Sequence, residues 1–337
     1  MKTALILTTI NVPTVLQLYR KLDPDVRVFV AADLKTPPEA QAFCVDLGRT
    51  YYLSPEYQKS LGYACSELIG WNTISRRNIA LLEALKWGAD VIVSVDDDNI
   101  PLPLFFWDYR IMFKNDLAFD GIKAQGAWFD PAYLSFPRVV QRGFPQHTSF
   151  SGAGIVYKSV TDARIGIAQG MILGDPDTSA VDRISQHPEV HQVSELLRAG
   201  IVTDPKETYA PLNSQNIAFA RDLAPCFLMV PSFGRYDDIY ASLVAQRVMR
   251  ERGLHVHYGQ PFVWQQRNQH NLLKDLAQEQ WGAEHILEFA AWLDGFLGQH
   301  DVIGMLRVMA TNLPKFVPSG TQELWLAWLD DCSKVIQ

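Results

Sequence analysis

Asp96, Asp97, Asp98 and Asn99 stand directly after an apolar run spanning residues 89–95. The β-branched core of that run, 91–95, reads as a strand buried on both faces, as in an α/β sheet. Three carboxylates at one strand end repel one another strongly unless something neutralises them. Open α/β sheets bind their ligands just beyond the carboxyl ends of the strands. A hard divalent cation held by oxygens would relieve the repulsion and would also grip a diphosphate. Asp96, Asp97 and Asp98 are therefore together candidate contacts for such a cation and its diphosphate. The plain alternative is a solvated acidic turn.

Four further groups could take part. Arg76, Arg77 and Asn78 follow Ser75, a candidate helix cap, at the start of a helical stretch over 74–87. Cations in a first helical turn oppose the helix dipole, so these arginines call for another partner. A phosphate at the helix N-terminus is the natural one. Asn213, Gln215 and Asn216 are amides beside a strand and could read hydroxyls, since an amide both donates and accepts. Asp237 and Asp238 open a helix running to about Arg250; they either complement its dipole or aim a general base into the same cleft. His255 and His257 alternate onto one face of a strand; His257 is a further candidate metal ligand, the alternative being a solvated strand face.

These residues need a scaffold. The spacing predicts a strand at 3–7, a helix opening at Pro13, a strand at 26–32, a helix from about Pro38 and a short strand at 51–54. Strand, helix and strand at this spacing form a parallel βαβ unit. Thr8, Asn11 and Asp33 follow or end its strands and join the candidate nucleotide contacts. Helical character is expected for 190–200, with Gly200 as C-cap. From Leu272 on the pattern is helical, with aromatic stripes at Trp281, Phe289 and Trp292 and at Trp325 and Trp328 that suit packing. The expected organisation is an α/β catalytic domain over 1–271 and a helical C-terminal appendage over 272–337.

Composition narrows the function. The 337 residues are 48% hydrophobic and 20% charged, ample for a large core. A net charge of -7 argues against a nucleic-acid partner. Four scattered cysteines without CxxC spacing suit reduced thiols rather than a disulfide frame or zinc site. The first seven residues are too short for a signal-peptide core, and no run reaches membrane-spanning length. A cytoplasmic location is expected. Peripheral membrane contact is conceivable, although the apolar stripes lack a Lys/Arg-rich polar face.

The order of motifs carries a resemblance. Residues 75–78 followed by 96–99 resemble nucleotide-diphospho-sugar transferases of the GT-A type. With 35–37, 174–177, 210–216 and 267–271, the chain resembles the STELLO-type glycosyltransferase family. It is also similar to plant reversibly glycosylated polypeptides, which are UDP-arabinopyranose mutases, through the three acids, 142–145, 234–238 and 259–264. There are departures. The chain lacks a plant STELLO-type membrane anchor, and the mutase-like family has Tyr where Phe144 stands and Cys where Asn99 stands. The resemblance implies a GT-A (Rossmann-like) mixed sheet flanked by helices. It implies a UDP-sugar donor, a glycan or glycoconjugate acceptor, and Mg²⁺ or Mn²⁺ on Asp96 and Asp98 as Lewis acid. It also implies Arg76 or Arg77 as a second cation, Asp238 or Asp237 as general base, and Arg142 as the self-glycosylated residue of a mutase. A third possibility is a non-catalytic nucleotide-sugar-binding protein. As a loop residue, Arg142 is expected to tolerate replacement in a transferase.

Overall fold

The computed structural model describes residues 1–114, 117–124, 126–145, 156–160, 162–268, 270–296, 298 and 301–336. The remaining members of the expected 267–271 motif surround Gln269, which lies outside the described residues.

The first half alternates strand and helix: β1 (Thr3–Thr9), α1 (Leu16–Leu22), β2 (Arg27–Ala32), α2 (Glu39–Leu47) and β3 (Thr50–Leu53). α3 (Pro55–Ser60), α4 (Ala64–Ile69) and α5 (Arg77–Lys86) then lead into β4 (Val91–Val95) and β5 (Asn99–Pro101). β3, β2, β1 and β4 are parallel neighbours, so the carboxyl ends of β1, β2 and β4 open on one edge. α6 (Phe105–Met112), β6 (Phe119–Lys123), β7 (Ser135–Phe136), β8 (Val156–Val160) and β9 (Ile165–Gly174) follow. Next come α7 (Ala180–Gln186), β10 (Gln192–Val193), α8 (Glu195–Ala199), β11 (Ile201–Thr203) and β12 (Asn216–Ala220). The chain closes with α9 (Asp237–Arg252), β13 (His255–Gln265), α10 (Leu272–Asp294), α11 (Val302–Thr311) and α12 (Thr321–Val335).

The large sheet is mixed, in the order β3-β2-β1-β4-β12-β9-β13-β11-β6-β8. β12 runs antiparallel to both β4 and β9, while β13 is parallel to β9 and antiparallel to β5. This is the mixed α/β sheet flanked by helices that the resemblance implied. Side-chain alternation divides the core between the two faces. Leu5, Leu7, Val91, Val93 and Val95 pack with Leu16, Tyr19, Phe105 and Tyr109. Ala4, Ile6 and Ile92 face the other way, with Leu82, Tyr240, Phe289 and Trp328. The aromatic stripes after Leu272 are packing surface. Trp328 Nε1 donates to Pro225 O at 2.8 Å, and Cys65 N donates to Asp331 at 2.9 Å, tying α12 to the strand-rich half.

Two local expectations are corrected. Residues 190–200 are not helical throughout, because Val190 exchanges backbone hydrogen bonds of 2.8 Å with Gly174. Helix forms only over α8, where Ser194 caps the start and Gly200 closes the end. Ser75 is not the cap of α5. A 3₁₀ turn over Ile74–Arg76 precedes that helix, Thr73 caps the turn, and the Ser75 hydroxyl is turned elsewhere.

Candidate active site

The turn between β4 and β5 spreads the three acids to three different sets of partners. Asp96 is clamped by the Arg77 guanidinium, which also donates to Ser214 O at 3.1 Å and Ser214 Oγ at 2.7 Å. Asp97 accepts from the Thr9 hydroxyl and from Asn11 Nδ2 (3.2 Å) at the end of β1. Burial raises its carboxyl above the ordinary range. Asp98 faces the end of β13, accepting from Gln265 Nε2 at 3.3 Å and Asn268 N at 3.4 Å. Burial and the adjacent charge of Asp96 push Asp98 up to about 6. The parallel pairing of β1 with β4 and the β13–β5 pairing bring these partners to one place.

Asp237 and Asp238 form the opposite wall at the start of α9. Asp238 is fully engaged. It accepts from Ser214 N at 2.9 Å, Ser214 Oγ at 3.0 Å and Ile239 N at 2.9 Å, and lies 3.6 Å from Arg142 Nη1. Asp237 accepts from Ser75 Oγ at 3.2 Å and from Asp238 N at 2.9 Å. Burial and the charge of Asp238 push Asp237 up to about 7. Asp237 thus has the proton affinity of a base working near neutrality.

Arg142 is not a free loop residue. Its Nε and Nη2 donate to the two oxygens of Asp177, both at 2.9 Å, and its side chain is only 5% exposed. Burial works against its charge, but Asp177 and Asp238 together hold the guanidinium above its ordinary range. Burial also works against the Asp177 charge, and Arg142 holds that carboxyl below the ordinary range. Truncation at this position would strand the buried Asp177 carboxylate.

Four candidates are not brought to the cleft. Arg76 is fully buried and turned away; it donates to Gln58 Oε1 at 2.9 Å and Ser66 O at 2.9 Å and stacks on Trp71. Asn78 is spent on both backbone groups of Met229, at 2.8 and 3.0 Å. Asn216 knits three elements together, donating to Pro261 O at 2.9 Å and accepting from Tyr109 Oη at 2.7 Å. His257 lies in the core against Phe119, and burial lowers it to about 3. The ring fits because Gly200 has no side chain: a Cβ there would lie 2.5 Å from His257 Nε2. Thr8 and Asp33 do line the cleft, but Thr8 donates to Ala31 O at 2.7 Å. Asp33 accepts from Leu34, Asn72 and Thr73 N at 2.6, 2.7 and 2.9 Å and so pins the cleft rim.

The cleft between the walls has a volume of about 640 Å³, within the range of small-molecule sites. Arg267, Lys35 and Ser214 line it and were not singled out from sequence. Arg267 was legible only as part of the 267–271 motif. Its guanidinium favours the ionised form of Asp98 and draws that carboxyl down, while burial and the nearby Arg183 lower Arg267 itself. Such a crowded, buried cation gains by binding an anion. Asp96 and Asp98 fit a hard cation of the kind held by one or two carboxylates and substrate phosphates. Burial first and the charge of Asp96 second raise the affinity of Asp98 for a proton, and a cation would offset both. Among the described residues no group of three or more His, Cys, Asp or Glu makes an all-protein cage.

Comparisons with known proteins bear on the second half of the chain. The Probable UDP-arabinopyranose mutase 1 of Solanum tuberosum is 29% identical over 138 residues, 38% of this chain and 37% of that protein. The chain thus matches well under half the length of that relative. Among solved structures, S. aureus TarS 1-349 in complex with UDP-GlcNAc superposes with a TM-score of 0.41 at 12% identity, covering 100% of this chain and 90% of that chain. No helix among the described residues is long and apolar enough to cross a membrane. The family model of the reversibly glycosylated polypeptides matches residues 152–297, so the chain is similar to that family over the stretch holding Asp177, Asp237, Asp238 and Arg267, while Asp96–Asp98 and Arg142 lie outside it.

Proposed function

We propose that this chain is a nucleotide-sugar-dependent glycosyltransferase, moving the sugar of a nucleoside-diphosphate sugar, a UDP-sugar, to a hydroxyl of a glycan or glycoconjugate. The observation that supports this most is the shared cleft of Asp96, Asp98 and Asp237. Asp96 and Asp98 would hold Mg²⁺ or Mn²⁺ against the diphosphate, where the ion acts as a Lewis acid on the departing phosphate oxygens. Arg267 places a second positive charge beside that leaving group. Arg77 is ion-paired to Asp96 and orients it rather than meeting phosphate itself. Asp237 takes the proton of the acceptor hydroxyl as its oxygen bonds to the anomeric carbon and the bond to phosphate breaks. Arg142 and Ser214 hold Asp238 in place behind it.

A second reading is a nucleotide-sugar pyranose/furanose mutase that first glycosylates itself at Arg142. The similarity to a mutase favours it, as does Arg142 Nη1, which makes no hydrogen bond on a residue lining the cleft. Against it, two carboxylates keep that guanidinium cationic and without a free lone pair. The test is incubation with a panel of nucleotide sugars and Mg²⁺ or Mn²⁺, following nucleoside diphosphate release, isomerised sugar and the intact mass of the protein. Diphosphate release dependent on an added acceptor, with unchanged protein mass, is expected. A sugar adduct on the protein accompanied by isomerised donor would replace the transferase with the mutase.

A further inference from the structure

A second cavity of about 500 Å³ adjoins the donor cleft, and Gln265 and Arg267 line both. The partition is therefore the same short segment that reaches Asp98. On the far side lie Trp264, Arg183, Asp175, Glu189 and Gln266. We infer that this cavity binds the acceptor as a polyhydroxylated, uncharged carbohydrate, an assignment that rests on the transferase reading above.

Three observations carry it. First, the cavity mixes donors and acceptors. Arg183 and Arg267 bring guanidinium donors, while Asp175, Glu189 and the amides of Gln265 and Gln266 offer oxygens. A sugar hydroxyl, both donor and acceptor, satisfies such a wall as an anion or cation would not. Second, around this cavity the charges balance, Asp175 and Glu189 against Arg183 and Arg267. Arg183 is ion-paired to Asp175 and donates to Pro176 O, and Arg267 Nε lies 3.5 Å from Asp175. Little net charge remains to recruit a charged acceptor. Third, Trp264 supplies a half-buried indole backed by Gly174. A Cβ on Gly174 would come within 3.0 Å of the Trp264 ring, so glycine lets the indole settle against backbone. The apolar face of a pyranose ring removes area from water by lying on such a surface.

The position relative to the base is consistent. From Asp238 the charges alternate through Arg142 and Asp177, and Arg267 acts on Asp177 while contacting Asp175. Gln265 and Arg267, which line both cavities, set this one directly beside the cleft that Asp98 and Asp237 line.

The test is saturation-transfer NMR on the full chain with UDP and Mg²⁺ present, using maltose, cellobiose, lactose and chitobiose as probes. At least one disaccharide should bind. Trp264→Leu should weaken it about tenfold while UDP affinity is unchanged. Gln266→Trp, at an exposed position on the rim, should block the cavity without disturbing the core. UDP binding with no disaccharide contact, or disaccharide binding that survives both substitutions, would overturn the inference. Failure of the wild-type chain to bind UDP would instead sink the donor reading, and the acceptor assignment with it.

Discussion

Asp237 offers the sharpest test because its proton affinity is set by named contacts. Burial and Asp238 push it up to about 7, while Arg142 and the Ser75 hydroxyl draw it down. A base with that affinity is ionised in about one molecule in eleven at pH near 6 and in about ten in eleven at pH near 8. Turnover at saturating donor and acceptor should therefore climb about tenfold over that interval and then level off. Asp237→Asn should lower turnover by about a hundred- to ten-thousand-fold and leave the residual rate flat with pH. Ser75→Ala removes a hydrogen bond to the ionised form, so its acid limb should move to higher pH while its plateau is retained. Folding stability should run the other way. Between the ordinary aspartate value of 3.8 and about 7 the folded state keeps a proton that the unfolded chain has lost. Stability from this group is thus fully present below the lower value and falls as pH rises through the upper one, by on the order of 4 kcal/mol. The assay is steady-state nucleoside diphosphate release against pH, with thermal denaturation in the same buffers. A flat wild-type profile, or an acid limb that persists in Asp237→Asn, would refute the assignment.

Three other outcomes are expected. Arg142→Met should destabilise the fold by about 3–5 kcal/mol in denaturant titration, since Asp177 loses its buried partner, and adding Asp177→Leu should recover much of that loss. Asp98→Asn should raise the melting temperature without metal, by removing a carboxylate that burial and Asp96 disfavour, and should abolish the gain in UDP affinity that Mn²⁺ brings in calorimetry. Arg267→Met should weaken UDP more than uridine in the same titration, because the lost contact is to phosphate.

How much of this was legible depended on range. The strand ending in Asp96, Asp97 and Asp98 was readable because burial on both faces and an abrupt run of acids are both local patterns, and the strand falls at Val91–Val95 as the residues demand. Neighbouring Arg76 and Arg77 were not separable. A 3₁₀ turn at their junction sets the phase of α5, sending one guanidinium to Gln58 and the other to Asp96. Alternation put His255 and His257 on one face but could not say that β11 and Phe119 would close over His257. The three amides read as sugar contacts because composition marks polarity and not direction; Asn216 instead satisfies backbone carbonyls inside the sheet. The Asp237–Asp238 pair was placed correctly at a helix start, yet its division of labour rests on Ser75 and Ser214, partners 162 and 24 residues away. Arg267 shows the same limit from the other side. It follows β13 by two residues, and only the pairing of Gln265 with Asn99 carries it to the acids. Local pattern thus locates chemistry at the end of a strand, whereas tertiary pairing decides which neighbouring charge holds a carboxylate and which is left facing the substrate.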